Sequence, residues 1–202
     1  MHIGPKYKIA RRVGAPIFEK TQTQKYALRS ERKGKTRKFL KPKSEYGLQL
    51  NEKQKARFTY GLTERQFSNY VKAALAQKST HTTQTIFENL ELRVDNAIYR
   101  LGFAPTRMAA RQMVSHGHIT INDKKITTPS RRLEMKDVIG IRAGSAAKSL
   151  FSHLVDGAKS TTAPSWIAFD AQKKTATIQG MPQLAGTDLM FNLNAVVEFY
   201  SR

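Results

Sequence analysis

The sequence predicts an α+β protein: a basic N-terminal arm, a helical stretch, and a compact helix–turn–helix–hairpin unit. Three observations predict it. Apolar residues recur at helical spacing from about residue 44 to residue 117. After Gly117 the period drops from about 3.6 to 2, as a strand requires. Residues 1–43 show little periodicity, several breakers (Gly4, Pro5, Gly14, Pro16, Gly34, Pro42) and dense positive charge, the pattern of an extended arm with short helical pieces at most.

The arm carries its charge in bursts, Lys6, Lys8, Arg11 and Arg12, then Arg29 through Lys43. Tyr7 and Tyr26 lie among them, placed either to stack on bases or to anchor the arm on the protein body, the second being the favoured reading. From Ser44 the pattern becomes helical, with Leu48, Leu50, Ala56, Phe58, Tyr60 and Leu62 loosely alternating with Lys53, Lys55 and Arg57, and Gly61 supplying a stop. Thr63-Glu-Arg-Gln66 makes a capping box for the next helix, where Phe67, Tyr70, Val71 and Ala74 recur at helical spacing. Apolar positions should form the core and leave Arg57, Arg65 and neighbouring lysines on an outer face, either merely solvated or turned to a polyanion.

Residues 77–85 are polar and read as a connector. The run 86–103 reads as one helix with Ile86, Leu90, Val94, Ala97, Ile98 and Leu101 inward, Gly102 as its stop, and Asp95 and Arg100 as candidates for internal pairs. Thr106 caps a further helix ending at Gly117, with Met108, Ala109, Met113 and Val114 inward. Its Arg107, Arg111 and Ser115 fall on one strip, because residues four apart share a face. Residues 118–121 alternate, Asn122-Asp123 turns the chain, and Lys124–Ile126 starts the return strand. A short strand at 138–142, a small helix and linker within 143–165, a hairpin (166–170 with 175–178) and an apolar-rich end, LNAVVEFYSR, complete the chain. That end should dock on the helical domain, since Val196, Val197, Phe199 and Tyr200 are costly to leave in water.

Composition bounds the partner. Lys and Arg number 35 against 15 acids in 202 residues, a net charge of +20. Residues 1–60 hold 17 of those cations and only 4 acids. Such an excess repels itself in a compact monomer and attracts polyanions, of which nucleic acid is the usual one. There is no cysteine, which excludes disulfides and thiolate metal sites. No apolar run approaches the roughly 18–20 residues that span a bilayer. The N-terminus lacks the apolar core of a secretory signal, and no long amphipathic helix accompanies the basic run to suit a membrane surface. The expectation is a soluble protein in a reducing, RNA-containing compartment.

The unit at 93–142 carries the most information. Arg107, Arg111, Gln112, His116, His118 and Lys124 should project where its second helix meets its first strand. Guanidinium forks match phosphate oxygens, and Gln and His reach ribose hydroxyls, phosphates or base edges. Such a surface suits the shape and backbone of folded RNA, whose deep groove is closed to side chains. On this placement Arg111→Ala should weaken RNA binding without much loss of thermal stability.

The segments YGLQLNEKQKARFTYGLTERQF (46–67) and LRVDNAIYRLGFAPTRMAARQMVSHGHITIN (92–122), with GPKYKIARRVG (4–14) and VVEFYSR (196–202), resemble the bacterial-type small ribosomal subunit protein four family. Four motifs in one order cover nearly the whole chain, whereas the 93–142 module alone also occurs in RNA-modifying enzymes. The resemblance implies an arm over 1–43, a helical domain over 44–90 completed by 166–202, and an inserted RNA-binding module over 91–165. It implies a structural constituent of the small subunit, not an enzyme. Such a constituent binds the five-prime domain of small-subunit ribosomal RNA at a multi-helix junction early in assembly and lines the messenger RNA entry side. Its partners would be that RNA, neighbouring small-subunit proteins and messenger RNA, on cytoplasmic ribosomes or those of an organelle. Matched residue by residue, Lys8, Arg11 and Arg12 fall on the arm motif. Lys53, Lys55, Arg57, Arg65 and Gln66 fall on the first-domain RNA face, and Arg107, Arg111, Gln112, His116 and His118 on the module's surface.

Two departures stand out. Many relatives hold zinc with arm cysteines, and this chain has none, so the stretch Arg29–Lys43 would have to order on RNA instead. Relatives commonly carry Asn-Gly at the hairpin turn where this chain has Asn122-Asp123, which leaves the turn type open. Other chemistries find little support. His116 and His118 stand two apart with no carboxylate pair, so neither metal nor cofactor is expected. No Ser, His and acid are suitably spaced, and no phosphate loop of the G-x-x-x-x-G-K type is present. Two rivals stay open at this point: an RNA-modifying enzyme, which would need a further catalytic domain, and an RNA-binding or chaperone protein outside the ribosome.

Overall fold

The computed structural model describes residues 3–34, 44–77, 81–146, 151, 163–170, 172–184 and 189–201. In chain order the helices are α1 (Lys6–Val13), α2 (Gln24–Gly34), α3 (Glu45–Thr59), α4 (Glu64–Ala76), α5 (Thr82–Glu91), α6 (Val94–Arg100), α7 (Arg107–Ser115), α8 (Ala143–Ala146) and α9 (Leu193–Tyr200). The strands are β1 (Ile119–Ile121), β2 (Lys124–Ile126), β3 (Val138–Ile141), β4 (Ile167–Asp170) and β5 (Thr175–Ile178). The chain divides into two compact units, Met1–Thr83 with Gly186–Arg202, and Gln84–Ala185.

The first unit corrects the expectation of an extended arm. Ala10 and Val13 lie on one face of α1, and Gly14, at φ 77°, ends that helix in the left-handed conformation. A single 3-10 turn (Glu19–Thr21) then leads to α2. Ala10, Val13, Ile17 and Phe18 form a small core that takes in Ile3, Ile9, Tyr26 and, from α3, Phe58. Tyr7 and Tyr26 stack on each other with centroids 5.6 Å apart, so in this structure they act as anchors within the arm. Residues 35–43, most of the second basic burst, lie outside the described residues. Ser44 caps α3 and Thr63 caps α4, the latter with the capping box read from the sequence. Helix α9 packs along α3 and meets α4. Phe191 lies against Tyr60 and Tyr200 against Phe67, with centroids 6.2 and 6.3 Å apart.

In the second unit the expected helix over 86–103 is two helices. The break falls at Arg93, whose backbone bridges to Arg132, while Leu133 N–H donates to the Leu92 carbonyl at 2.8 Å and Val94 N–H to the Arg131 carbonyl at 3.0 Å. A distant loop thus takes backbone groups that a continuous helix would have paired internally. No local periodicity announces this. The five strands form one antiparallel sheet in the order β2-β1-β3-β5-β4. One face carries Ile119, Ile121, Ile126, Ile139, Ala176, Ile178 and Ile167, packed with Ala97, Ile98, Leu101, Ala110, Met113 and Val114 of the helical layer in a single core.

The β4–β5 hairpin forms where expected but not in the company expected. Val138 pairs with Thr177 and Ile139 with Ala176, so the hairpin extends the module's own sheet and does not complete the helical domain. Only the segment carrying α9 returns to the first unit. The hairpin turn is settled as well: Asn122 at φ 50° and Asp123 at φ 63° make a type I′ turn. The Asn122 side chain stabilises it by donating to Asp137 Oδ1 at 2.8 Å and accepting from Val138 N–H at 2.9 Å.

Candidate nucleic-acid interface

The cationic residues fall into three groups, and the structure treats them differently. On α1 the two inward positions leave Lys8, Arg11 and Arg12 exposed on the outer face. Arg11 and Arg12 also sit in the last turn, where the negative end of the helix dipole favours cations. Arg11 Nε–H donates to the Tyr7 carbonyl at 3.2 Å, which steers the guanidinium along the helix.

The α3–α4 group is corrected. Lys53 is 6% exposed. Its Nζ donates to Glu64 Oε1 at 2.7 Å and lies 4.7 Å from the centroid of the Phe199 ring, so it faces α9 and not solvent. Lys55 pairs with Glu52 at 2.6 Å. Arg57 lies over the Phe58 ring at 4.3 Å, with its Nε 3.6 Å from Glu64 Oε2. Gln66 is exposed but spends its Oε1 on Thr63 N–H in the capping box. Arg65 is exposed on α4. Tyr200 O–H also donates to Glu64 Oε1, at 3.0 Å. Burial pushes the Glu64 carboxyl up, but the hydrogen bonds from Lys53 and Tyr200 and the charges of Lys53 and Arg57 outweigh it and hold the group below the usual carboxylate range. The Tyr200 hydroxyl is pushed up by burial and by its bond to Glu64.

At the module's corner Ser115 of the α7 strip is exposed, while Arg107 and Arg111 are half-buried and each is tied to a residue of α6. Arg111 donates to Asp95 Oδ2 through Nε at 2.8 Å and forms an ion pair with it through its terminal nitrogen at 2.7 Å. Asp95 is buried and also takes a two-pronged contact from Arg93, at 3.0 and 2.8 Å. Arg107 Nε–H donates to Asn96 Oδ1 at 2.8 Å, and its guanidinium lies 4.3 Å over the Tyr99 ring. Ser115 donates to the Arg111 carbonyl at 2.9 Å. The group Arg111 pairs with is a buried carboxylate, so its truncation is now expected to cost stability.

His118 is half-buried. Its Nδ1 lies 2.9 Å from Ser145 Oγ, and its ring meets Phe151 edge-on at 6.3 Å. Gln112, His116 and Lys124 are exposed, as expected. The fold adds cations that the sequence reading left out. Lys125, Arg131, Arg132 and Lys136 are all exposed along β2 and its connection to β3, with Asp123 and Glu134 as the exposed acids of that segment. Thr120 pairs with Lys125, which puts the lysine on the solvent face of the sheet. Gly117 has φ 69°, and a Cβ there would collide with Lys125 Cε, so the lysine stem lies across the α7–β1 corner. The Arg131-Arg132 pair and the Lys124-Lys125 pair are the signal that could have found this segment.

A helix pair backing an antiparallel sheet, with cations displayed at the helix–strand corner and along the following connection, has the layout of a polyanion-binding module. Comparison with known proteins gives the class its family. Residues 1–91 match the model described as ribosomal protein S4/S9 N-terminal domain, and residues 92–139 match the S4 domain. The small ribosomal subunit protein uS4 of Akkermansia muciniphila is 38% identical over 100% of this chain and 98% of its own length. The uS4c proteins of Oltmannsiellopsis viridis and Chlorokybus atmophyticus are 38% and 39% identical over 98% of this chain, and over 98% and 97% of their own lengths. The chain belongs to the small ribosomal subunit protein uS4 family. That family consists of ribosomal structural proteins and not of enzymes, which removes the RNA-modifying rival. Among the described residues no helix is long and apolar enough to cross a membrane.

Proposed function

We propose that the protein is a structural constituent of the small ribosomal subunit. It binds the five-prime domain of the subunit's RNA at a multi-helix junction early in assembly, beside neighbouring small-subunit proteins, and helps form the messenger RNA entry side. The observation that carries the reading is the exposed row Lys124, Lys125, Arg131, Arg132 and Lys136 in a module of this family. The arm face of Lys8, Arg11 and Arg12 is a second contact surface, and Arg65 a third. Of the remaining residues matched to the family's RNA faces, Gln112, His116, Arg107 and Arg111 touch RNA directly, while Lys53, Lys55, Arg57, Gln66 and His118 serve the fold that presents them.

Chemical footprinting of small-subunit RNA with and without the pure protein tests this. Protection confined to the five-prime domain, reduced by Arg131→Ala with Arg132→Ala, is the expected result. No protection at moderate salt would end the proposal. For the entry side, a photoreactive nucleotide downstream of the decoding centre should cross-link to the protein in assembled subunits.

A further inference from the structure

The α6–α7 corner holds more buried charge than its packing needs. Glu91 is 1% exposed and Asp95 2%. Glu91 accepts from Arg100 at 2.9 and 2.8 Å and from the Asn96 amide at 2.9 Å. The other end of that amide holds Arg107 Nε, giving a relay from Glu91 through Asn96 to Arg107. Asp95 holds Arg93 and Arg111. Two carboxylates thus hold three guanidinium groups directly and a fourth, that of Arg107, through Asn96. The side chains of Arg100 and Arg111 are 29% and 20% exposed, whereas Arg93 is sealed in at 3%. Ion pairs buried this deeply repay their desolvation only with good geometry, and apolar residues of similar volume would often hold two helices together as well. What an apolar pair would not do is hold a guanidinium still at a helix surface. An arginine loses up to about 2 kcal/mol of rotamer freedom on being ordered, and here folding has already borne that cost.

We infer that Asp95 and Asn96 are positioning residues for RNA binding: from α6 they hold Arg111 and Arg107 of α7 in the orientation that meets the RNA phosphates. This rests on the reading of the module as the RNA-binding face. Neither Asp95 nor Asn96 touches the RNA. Each acts through its arginine.

The test uses the full chain and a transcript of the five-prime domain of small-subunit ribosomal RNA, with affinity measured across a salt series. Far-UV circular dichroism confirms the fold at the binding temperature. Arg107→Ala should lower affinity and reduce the slope of log affinity against log salt by about 0.7–0.9, one phosphate contact. Asn96→Ala should lower affinity roughly 3- to 10-fold, the cost of ordering a released side chain, with the slope unchanged because the contact still forms. The double variant should match Arg107→Ala alone. Asp95→Asn, which keeps the side chain's shape, should behave toward Arg111→Ala in the same way. Should it fail to fold, Asn96→Ala, which removes no charge, carries the test. Folded Asn96→Ala protein with wild-type affinity, or losses that add in the double variant, overturns the inference while the RNA reading stands. Wild-type protein with no affinity for the transcript, or with a flat salt response, overturns both.

Discussion

Lys53 and Arg111 show how a residue's type conceals its local partner. Each is a cation on a helix, and each turns inward to a carboxylate: Lys53 to Glu64 at 2.7 Å, Arg111 to Asp95 at 2.7 Å. Lys53→Ala should therefore lower the stability of the first unit by about 1–2 kcal/mol, through the lost charge-assisted hydrogen bond and the contact with Phe199, and leave RNA affinity unchanged. Thermal melts paired with binding curves check it, and weaker RNA binding at equal stability would show that the lysine reaches the RNA after all. Arg111→Ala should cost about 1–3 kcal/mol, because Asp95 loses one of its two guanidinium partners inside the core yet keeps Arg93. The Glu64 carboxyl gives a sign that can be worked out. Its pKa is lowered from 4.5 in the folded state, so its contribution is present above the unfolded value and is lost as the pH falls through the folded one. Denaturant melts from pH 7 down to pH 3 should show stability falling across the acidic end. Glu64→Gln should flatten that fall, and an unchanged profile would remove Glu64 from the account.

Among the elements, the hairpin turn and the helix caps make separable contributions. Asp123 sits at φ 63°, a conformation that costs a non-glycine residue roughly 1–2 kcal/mol, less for Asp than for most. Glycine relieves that cost but gains freedom in the unfolded chain worth about 0.4–1 kcal/mol. Asp123→Gly should thus stabilise the module by only about 0.5 kcal/mol, a small upward shift of its melting temperature; a drop would show that the Asp side chain holds the turn. Thr106 accepts Ala109 N–H at 3.1 Å and starts α7, so Thr106→Ala should cost about 1 kcal/mol in the same measurement. The break between α5 and α6 is a third matter. It exists because the segment 129–133 forms backbone hydrogen bonds with Leu92, Val94 and Asp95, and it fixes Arg131 and Arg132 beside the start of α6.

For the whole molecule the net charge of +20 is decisive. With several phosphates neutralised at once, log affinity for the five-prime-domain transcript should fall steeply with log salt, by about 0.7–0.9 per contact. The cations on the described surface of the module and of α1 set how many contacts there are. A nearly flat response would mean that the charge serves solubility alone.

Helical periodicity, the switch to alternation after Gly117, the capping box at Thr63–Gln66 and the charge excess depend on residues a few positions apart, and they determined the α+β class, most elements and the polyanionic class of partner without any coordinates. The family followed from motif order over nearly the whole length. Tertiary structure alone decided which cations are tied to a carboxylate, because a lysine or arginine reads the same in sequence whether or not one waits across a helix interface, 11 residues away for Lys53 and 16 for Arg111. It also decided that α1 and α2 form and pack within the arm, that α5 and α6 are separate, and that β4 and β5 join β3. Each of these turns on a partner distant in the chain, a hydrophobic patch on α3, a loop at 129–133 or an open edge of β3, and local pattern carries no record of such partners.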